Sequence, residues 1–316
     1  MLNRREFNGL CTAFGSLLPA GSFASLSIAS AVAASSPGRT VKFPDGTIVP
    51  ALGHGTGGLG EGRHLEAIEE ETLRTGLSLG ITLIDTAETY GTDGGSEELI
   101  GQVISGQRDR VFLVSKVWPK NLTGDGVARA CKASLARLNT DHLDLYLLHW
   151  RDEVTDLSSI VAAFESLRAA GKIRAWGVSN SSVRDMEDLF HVPGGNRCAT
   201  NQVLYNIGNR GIERDLLPWC AQRGIPVMAY SPLGGGSGLL RDPTLASIAL
   251  AHSCSPAAVA LAWTIRSRNV IAIFGSGSPA HVKENAVALS LTLTPQELQI
   301  LDAAPPSQTL DPQLHF

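Results

Sequence analysis

The sequence lacks the features that mark metal-binding, nucleic-acid-binding and membrane-spanning proteins. Its five cysteines form no CxxC pair and no Cys/His ligand spacing, which argues against a metal site. The net charge is −4 without a basic cluster, so nucleic acid is not an expected partner. After residue 34 no run of eighteen strongly apolar residues occurs, and we expect no membrane span in the mature chain.

The cysteines leave the redox state of the chain open. Cys11 lies in the first 34 residues, and four more follow in the body of the chain: Cys131, Cys198, Cys220 and Cys254. An oxidising compartment would permit disulfides, but the spacing does not pair these residues. Buried free thiols are the favoured state.

The first 34 residues differ in composition from the rest. Arg4 and Arg5 precede a mildly apolar run rich in Gly, Ser and Ala, and Ala-x-Ala sequences end this run. The arrangement is typical of a twin-arginine export signal cleaved near Ala33 or Ala34. We therefore expect a periplasmic protein that engages the export machinery through its leader. The alternative is a disordered tail or an uncleaved helix, which would leave the protein in the cytoplasm.

The body, residues 38–316, alternates between strand and helix patterns. VKFPDGTIV predicts a hairpin around Asp45, and helical patterns between the later strands end at glycines such as Gly80, Gly106 and Gly171. Eight strand–helix units in roughly 260 residues predict one (β/α)8 TIM barrel with a short C-terminal tail. The predicted strands are 51–55, 81–86, 111–116, 143–149, 175–179, 199–205, 226–231 and 270–274.

A glycine-rich segment offers an alternative fold. Residues 53–58, GHGTGG, formally satisfy GxGxxG, the dinucleotide fingerprint of doubly wound sheets. However, a hairpin precedes this match, its strand is very short, and the next helix pattern begins only near Arg63. We therefore favour the barrel.

Four polar residues stand at or just past the ends of predicted strands: Asp85, Tyr90, Lys116 and His149. Taken singly, each fits a turn cap, surface packing or a core histidine. Their ordered gaps of 5, 26 and 33 residues fit consecutive βα units. Because the C-terminal ends of parallel strands point at one shared site, we expect the four to lie together.

These residue types would form a proton donor with the groups that tune it. A phenol is too weak an acid at neutral pH unless a cation stabilises the phenolate. Lys116 can supply that cation, Asp85 can hold Lys116 charged and oriented, and His149 can hydrogen-bond a substrate oxygen. The sequence thus predicts that Tyr90 donates a proton.

With these motifs, the chain after residue 40 resembles the aldo-keto reductases, most of all a bacterial branch acting on methylglyoxal and other small aldehydes. The resemblance implies a hairpin at the bottom of the barrel and reduction of aldehydes or ketones to alcohols by hydride transfer from NAD(P)H. It implies a small carbonyl substrate bound by Tyr90, Trp118 and His149. Trp150 is also expected to line the pocket, with a surface position or packing between helices as its alternative.

The resemblance also implies where the nicotinamide and diphosphate of the cofactor bind. The amide and aromatic positions follow the fifth, sixth and seventh strands, although Ser179 and Asn180 could also cap the next helix. The Gly-rich segment 231–243 is expected to be a mobile loop. The matching cofactor-binding positions are Gly55, Thr56, Gly57, Asp85, Ser179, Asn180, Gln202, Tyr230, Ser231 and Leu233.

At the adenine end this sequence departs from the family. The usual Pro and Lys after the last strand are replaced by Phe274 and Gly275, and a common Arg by His281. Lys283 is the one permanent cation nearby in the sequence. We expect dual use of NADP(H) and NAD(H), with NADP(H) favoured. The matching positions are Gly275, Ser276, Ser278, His281, Glu284 and Asn285.

Three functions remain to be separated. The first is a monomeric, exported reductase of small aldehydes or ketones. The second is a nicotinamide-binding redox sensor or accessory subunit with little turnover. The third, a (β/α)8 hydrolase or isomerase, would need paired carboxylates or metal ligands at the strand ends, where only Asp85 is found.

Overall fold

Eight parallel strands close into a barrel around the predicted site. The computed structural model describes residues 38–123, 125–151 and 156–303. The predicted leader and the tail after residue 303 lie outside these ranges. A hairpin of β1 (Thr40–Lys42) and β2 (Ile48–Pro50) comes first. The barrel strands are β3 (Leu52–Gly55), β4 (Leu83–Asp85), β5 (Phe112–Val117), β6 (Leu143–Leu148), β7 (Ile173–Ser179), β8 (Asn201–Leu204), β9 (Val227–Tyr230) and β10 (Val270–Gly275).

The strand order β10-β3-β4-β5-β6-β7-β8-β9 is closed, and every neighbouring pair is parallel. The predicted (β/α)8 barrel is therefore confirmed, and the doubly wound alternative is wrong. Gly53 shows why the glycine-rich strand suits a barrel. A Cβ there would lie 2.5 Å from a Leu83 methyl and 2.6 Å from an Ile273 methyl, so the closing strands leave no room for a side chain.

In the part of the chain that the structure describes, ten helices connect or follow the strands. The glycines expected to end helices do so, because Gly80, Gly106 and Gly171 adopt φ values of 84°, 74° and 68° after α1, α2 and α4. The helices are α1 (Glu66–Ser78), α2 (Gly95–Ile104), α3 (Gly126–Arg137), α4 (Leu157–Ala169), α5 (Val183–His191), α6 (Leu216–Gln222), α7 (Pro243–Ala251), α8 (Pro256–Thr264), α9 (Pro279–Ala286) and α10 (Pro295–Asp302).

The strands divide their side chains between two apolar cores. All six residues of β6 are buried. Leu145 and Leu147 belong to one cluster and Tyr146 and Leu148 to the other, as the alternation of side chains along a strand requires. Tyr146 meets Phe164 of α4 at 5.8 Å between ring centroids, so its cluster lies between the barrel and the helices. The other cluster includes the side chains that fill the barrel.

The hairpin covers the N-terminal end of the barrel. Its strands pair antiparallel with Val41 opposite Val49. Phe43, directly after β1, stacks on Phe112 with ring centroids 5.1 Å apart. Phe112 is the first residue of β5, and the predicted hairpin therefore lies at the end opposite the strand C-termini.

Two further sequence predictions concern cysteines and membranes. The four described cysteines are free thiols, and burial raises the pKa of Cys131, Cys198 and Cys220 to about 12 each. Among the described residues no single helix is long and apolar enough to cross a membrane; α7 and α8 meet that criterion only as a pair bent by 95°. Within the same residues no group of three or more His, Cys, Asp or Glu side chains is arranged to hold a metal ion.

Candidate active site

The structure brings the four strand-end residues together. Asp85 is the last residue of β4, and Tyr90 follows in the loop after it. Lys116 lies near the end of neighbouring β5, and His149 directly follows β6. Because consecutive strands are also neighbours in this barrel, residues 26 and 33 apart in sequence become adjacent in space.

Lys116 is the centre of this cluster. Its side chain is fully buried, and Nζ donates hydrogen bonds to Oδ2 of Asp85 at 2.7 Å and to the carbonyl oxygen of Thr86 at 2.8 Å. Nζ also lies 3.4 Å from the hydroxyl oxygen of Tyr90 and 4.7 Å from the centre of its ring. A buried ammonium costs several kcal/mol unless it is paired, and these contacts supply the pairing.

The surroundings shift the pKa values of Tyr90 and Lys116. Burial raises the pKa of Tyr90 above its ordinary value; the charge of Lys116 opposes this rise and that of Asp85 adds to it. For Lys116, burial alone would lower the pKa, but attraction to Asp85 and Tyr90 outweighs burial and the pKa is raised. At neutral pH the site therefore holds a neutral phenol beside a charged ammonium.

His149 is buried and uncharged at neutral pH. Burial, assisted by the charge of Lys116, lowers the pKa of His149 to about 2. Its ring meets Tyr90 edge-on with centroids 5.8 Å apart and Trp118 edge-on with centroids 5.1 Å apart. A neutral imidazole can donate a hydrogen bond from one ring nitrogen, but it cannot serve as a strong acid.

Asp85, Tyr90 and His149 form the floor of an open cavity of about 820 Å³ at the C-terminal ends of the strands, and Lys116 lies buried beneath it. Its size is typical of sites for small ligands and cofactors. The predicted residues in its wall are Gly55, Gly57, Asp85, Tyr90, Trp118, His149, Ser179, Asn180, Gln202, Tyr230, Ser231, Leu233 and Gly275.

A chain of hydrogen bonds joins Asp85 to the amide and aromatic residues of the wall. Gln202 Nε2 donates to Asp85 Oδ1 at 2.8 Å, and Ser179 Oγ donates to the Gln202 carbonyl oxygen at 2.8 Å. Asn180 Nδ2 donates to Ser179 Oγ at 3.1 Å, and the Tyr230 hydroxyl donates to Asn180 Oδ1 at 2.9 Å. The polar side chains at the ends of the three strands β7, β8 and β9 are thus fixed relative to the cluster around Lys116.

Three expectations about individual residues need correction. The side chains of Ser179 and Asn180 do not cap α5, because Ser182 does so in a capping box with Asp185. Thr56 is fully buried and does not line the cavity; its hydroxyl donates to the Asp85 carbonyl oxygen at 3.3 Å. Trp150 also lies outside the cavity wall, in a separate cleft.

The loop after β10 forms the far end of the site. Of the six predicted positions there, only Gly275 lines the cavity. Ser276 and Ser278 bond each other, with the Ser278 backbone N–H donating to Ser276 Oγ at 3.1 Å. The other three lie on α9, where His281 and Glu284 are exposed and Asn285 is buried.

Two histidines contact this loop, His54 in β3 and His64 in the segment between β3 and α1, and the sequence did not predict either. His54 Nε2 lies 3.0 Å from the Ser276 carbonyl oxygen, and burial lowers the pKa of His54 to about 4. His64 lies so close to Gly277 that a Cβ there would be 2.6 Å from its ring. Glu61 and Arg63, paired at 2.5 Å, also line the cavity. No local pattern marks these residues, because the two loops meet only when the barrel closes.

Comparison with known proteins agrees with this geometry. The sequence pattern that defines the aldo/keto reductase family matches residues 51–305. The chain belongs to the aldo/keto reductase family. The enzyme class expected from the resemblance, an NAD(P)-dependent oxidoreductase, is thereby confirmed.

Individual relatives of this family cover nearly the whole body of the chain. The Escherichia coli methylglyoxal reductase YeaE is 50% identical over 273 residues, which are 85% of this chain and 95% of YeaE. The E. coli methylglyoxal reductase DkgB is 30% identical over 78% of this chain and 91% of its own length. The structure is similar to an aldo/keto reductase from Klebsiella pneumoniae in complex with NADP and acetate, with a TM-score of 0.82, 47% identity and coverage of 86% and 97% of the two chains.

Proposed function

We propose that the protein reduces small aldehydes and ketones, methylglyoxal among them, to alcohols with NADPH and also with NADH. The observation that carries this proposal is the buried contact chain from Asp85 through Lys116 to Tyr90 at the floor of the cavity. YeaE and DkgB, both named as methylglyoxal reductases, support the substrate class. The Klebsiella complex supports the cofactor.

The residues of the cavity fit a nicotinamide cofactor. The side chains of Ser179, Asn180 and Gln202 present the hydroxyl and amide groups that a carboxamide needs as partners. The ring of Tyr230 lines the same wall and is held by its hydroxyl on Asn180, so it offers an aromatic surface to a planar ring. When bound, the reduced nicotinamide supplies the hydride.

Residues of the chain then donate the proton and stabilise the negative charge that develops on the substrate oxygen. The carbonyl oxygen of the substrate would lie between the Tyr90 hydroxyl and His149, whose rings meet edge-on. As this oxygen gains negative charge, His149 donates a hydrogen bond and Tyr90 transfers its proton. Lys116 stabilises the phenolate that remains, and Asp85 holds Lys116 in place.

Steady-state turnover tests this function against the sensor alternative. Purified protein is given NADPH and a panel of small and bulky aldehydes, and the loss of NADPH absorbance is followed. We expect turnover that saturates with methylglyoxal. A protein that binds NADPH but reduces none of the panel would instead be a sensor.

We also propose that residues 1–34 direct the folded barrel, residues 38–316, into the periplasm. Support comes from Arg4 and Arg5 and the Ala-rich end of the leader. Replacing both arginines by lysines should block export and leave the activity of the body unchanged. Cell fractionation with determination of the mature N-terminus tests this, and unchanged export of the Lys-Lys variant would contradict it.

A further inference from the structure

Glu88 joins the loop that carries Tyr90 to the loop that carries Trp118. Its Oε1 accepts hydrogen bonds from the backbone N–H of Trp118 at 2.6 Å and from Nδ2 of Asn121 at 2.9 Å. Its Oε2 accepts from the same Asn121 Nδ2 at 3.0 Å. The backbone N–H of Glu88 donates to the Lys116 carbonyl oxygen at 3.4 Å. Glu88 therefore holds the chain on both sides of Val117.

Glu88 differs in its hydrogen-bond partners from two other partly buried glutamates. Glu165 and Glu213 each accept hydrogen bonds from arginines. Within residues 38–123, 125–151 and 156–303, Glu88 forms no ion pair, and its two oxygens bond N–H groups of the neighbouring loop. Hydrogen bonds to a charged acceptor are about twice as strong as neutral ones, so this contact is well suited to fixing a loop.

The residue that Glu88 holds is part of the cavity wall. Trp118 lines the cavity and meets His149 edge-on, whereas Glu88 does not reach the cavity. If the backbone N–H of Trp118 lost its acceptor, the short turn Pro119–Asn121 that follows would lose its tie to the Tyr90 loop. The indole would then be free to move away from His149 and widen the wall.

We propose that Glu88 is a positioning residue: by holding the backbone of Trp118 it keeps the substrate wall narrow and favours small carbonyl compounds over bulky ones. This inference rests on the proposed carbonyl reduction. Glu88 acts through Trp118, and neither the cofactor nor the reacting atoms would contact it.

Glu88→Ala gives the direct test. We expect the KM for methylglyoxal to rise about tenfold, the loss expected for a charged hydrogen bond, while kcat and the Kd for NADPH change less than about twofold. The ratio of kcat/KM for methylglyoxal to that for a bulky aromatic aldehyde should fall. Glu98→Ala, an exposed glutamate on α2, is the matched control and should change none of these values.

A paired exchange separates positioning from general loss of structure. Asn121→Asp places two carboxylates against each other and should raise KM as Glu88→Ala does. Glu88→Gln should raise the KM less than Glu88→Ala does, because its neutral amide oxygen can still accept from Trp118 and Asn121 can turn its own oxygen toward the new NH2. Combining Glu88→Gln with Asn121→Asp should restore the KM, since the Gln amide can donate to the new carboxylate.

The outcomes are distinct. An unchanged KM in Glu88→Ala, or failure of the double variant to restore the KM raised by Asn121→Asp, would overturn the assignment of Glu88. Parallel losses of kcat, NADPH affinity and melting temperature would also overturn it, since they indicate a merely structural role. Absence of carbonyl turnover in the unmodified protein would overturn the proposed function, while loss of selectivity in active variants concerns Glu88 alone.

Discussion

At one end of the cavity buried polar side chains hold one another in place, whereas at the other end the loop after β10 presents glycines and serines. Lys116 and Asp85 are almost wholly buried and bond each other, and Gln202 extends the network. At the far end Gly275 is exposed, and the Ser276 hydroxyl bonds the backbone of Ser278 within the same loop. Proton transfer requires charged groups held at fixed distances, so we expect substitutions at the first end to have large effects. Affinity for a phosphate at the far end could be shared among several weak contacts, so we expect single substitutions there to have small effects.

The largest effect is expected from Tyr90→Phe. This change removes the proton donor and should lower kcat by roughly 10²–10⁴-fold, the usual contribution of a general acid. The Kd for NADPH, measured by fluorescence quenching, should remain nearly unchanged because the ring and the cavity wall are kept. Retention of more than about a tenth of kcat would contradict the role of Tyr90.

Lys116→Met should be comparably damaging and should also change the pH profile. Lys116 lowers the pKa of Tyr90 against the effect of burial, so the variant should hold its phenol protonated to still higher pH. A proton donor works below its pKa; the alkaline loss of kcat for reduction should therefore move upward. Lys120→Met, an exposed lysine after β5, should leave both kcat and the profile unaltered.

A smaller effect concerns stability near the loop after β10, where His54 contacts Ser276. The pKa of His54 is lowered to about 4, so the unfolded chain binds a proton more readily than the folded protein. The contribution of buried, neutral His54 to the free energy of unfolding should thus be fully present above about pH 6.5. It should fall by up to about 3 kcal/mol as the pH drops toward 4. Urea unfolding at several pH values should show this slope reduced in His54→Gln. An equal slope in both proteins would argue against a buried neutral His54; exposed His191→Gln is the control.

The smallest effect concerns the cofactor's 2′-phosphate. Without the family's Lys and Arg, about 2 kcal/mol of NADP preference should be lost, a factor of about thirty. We expect both cofactors to bind, with NADPH favoured less than about a hundredfold. Gly275→Lys should tighten NADPH binding about fivefold and leave NADH almost unaffected. Parallel titrations decide this, and tightening of both cofactors would mean that the new cation does not meet the 2′-phosphate.

The sequence predicts the site residues at the strand ends better than those in the loops. Asp85, Lys116 and His149 could be predicted because each lies at or just past the C-terminal end of an apolar strand, and parallel strands bring such positions to one end. Trp150, for which packing was the alternative, does not line the cavity wall. Its ring stacks on that of His149 with centroids 6.4 Å apart, and it lines a neighbouring cleft together with residues at the start of α5.

The sequence by itself determined the barrel and the chemistry of its floor, because apolar periodicity specifies strands and helices and the strand ends carry the polar groups. Tertiary structure alone decided which loops meet. The contacts of His54 with Ser276 and of His64 with Gly277 join segments more than two hundred residues apart. The bond from Glu88 to Trp118 joins two loops whose paths no local pattern specifies. Such contacts depend on barrel closure and loop geometry, which the order of residue types does not encode locally.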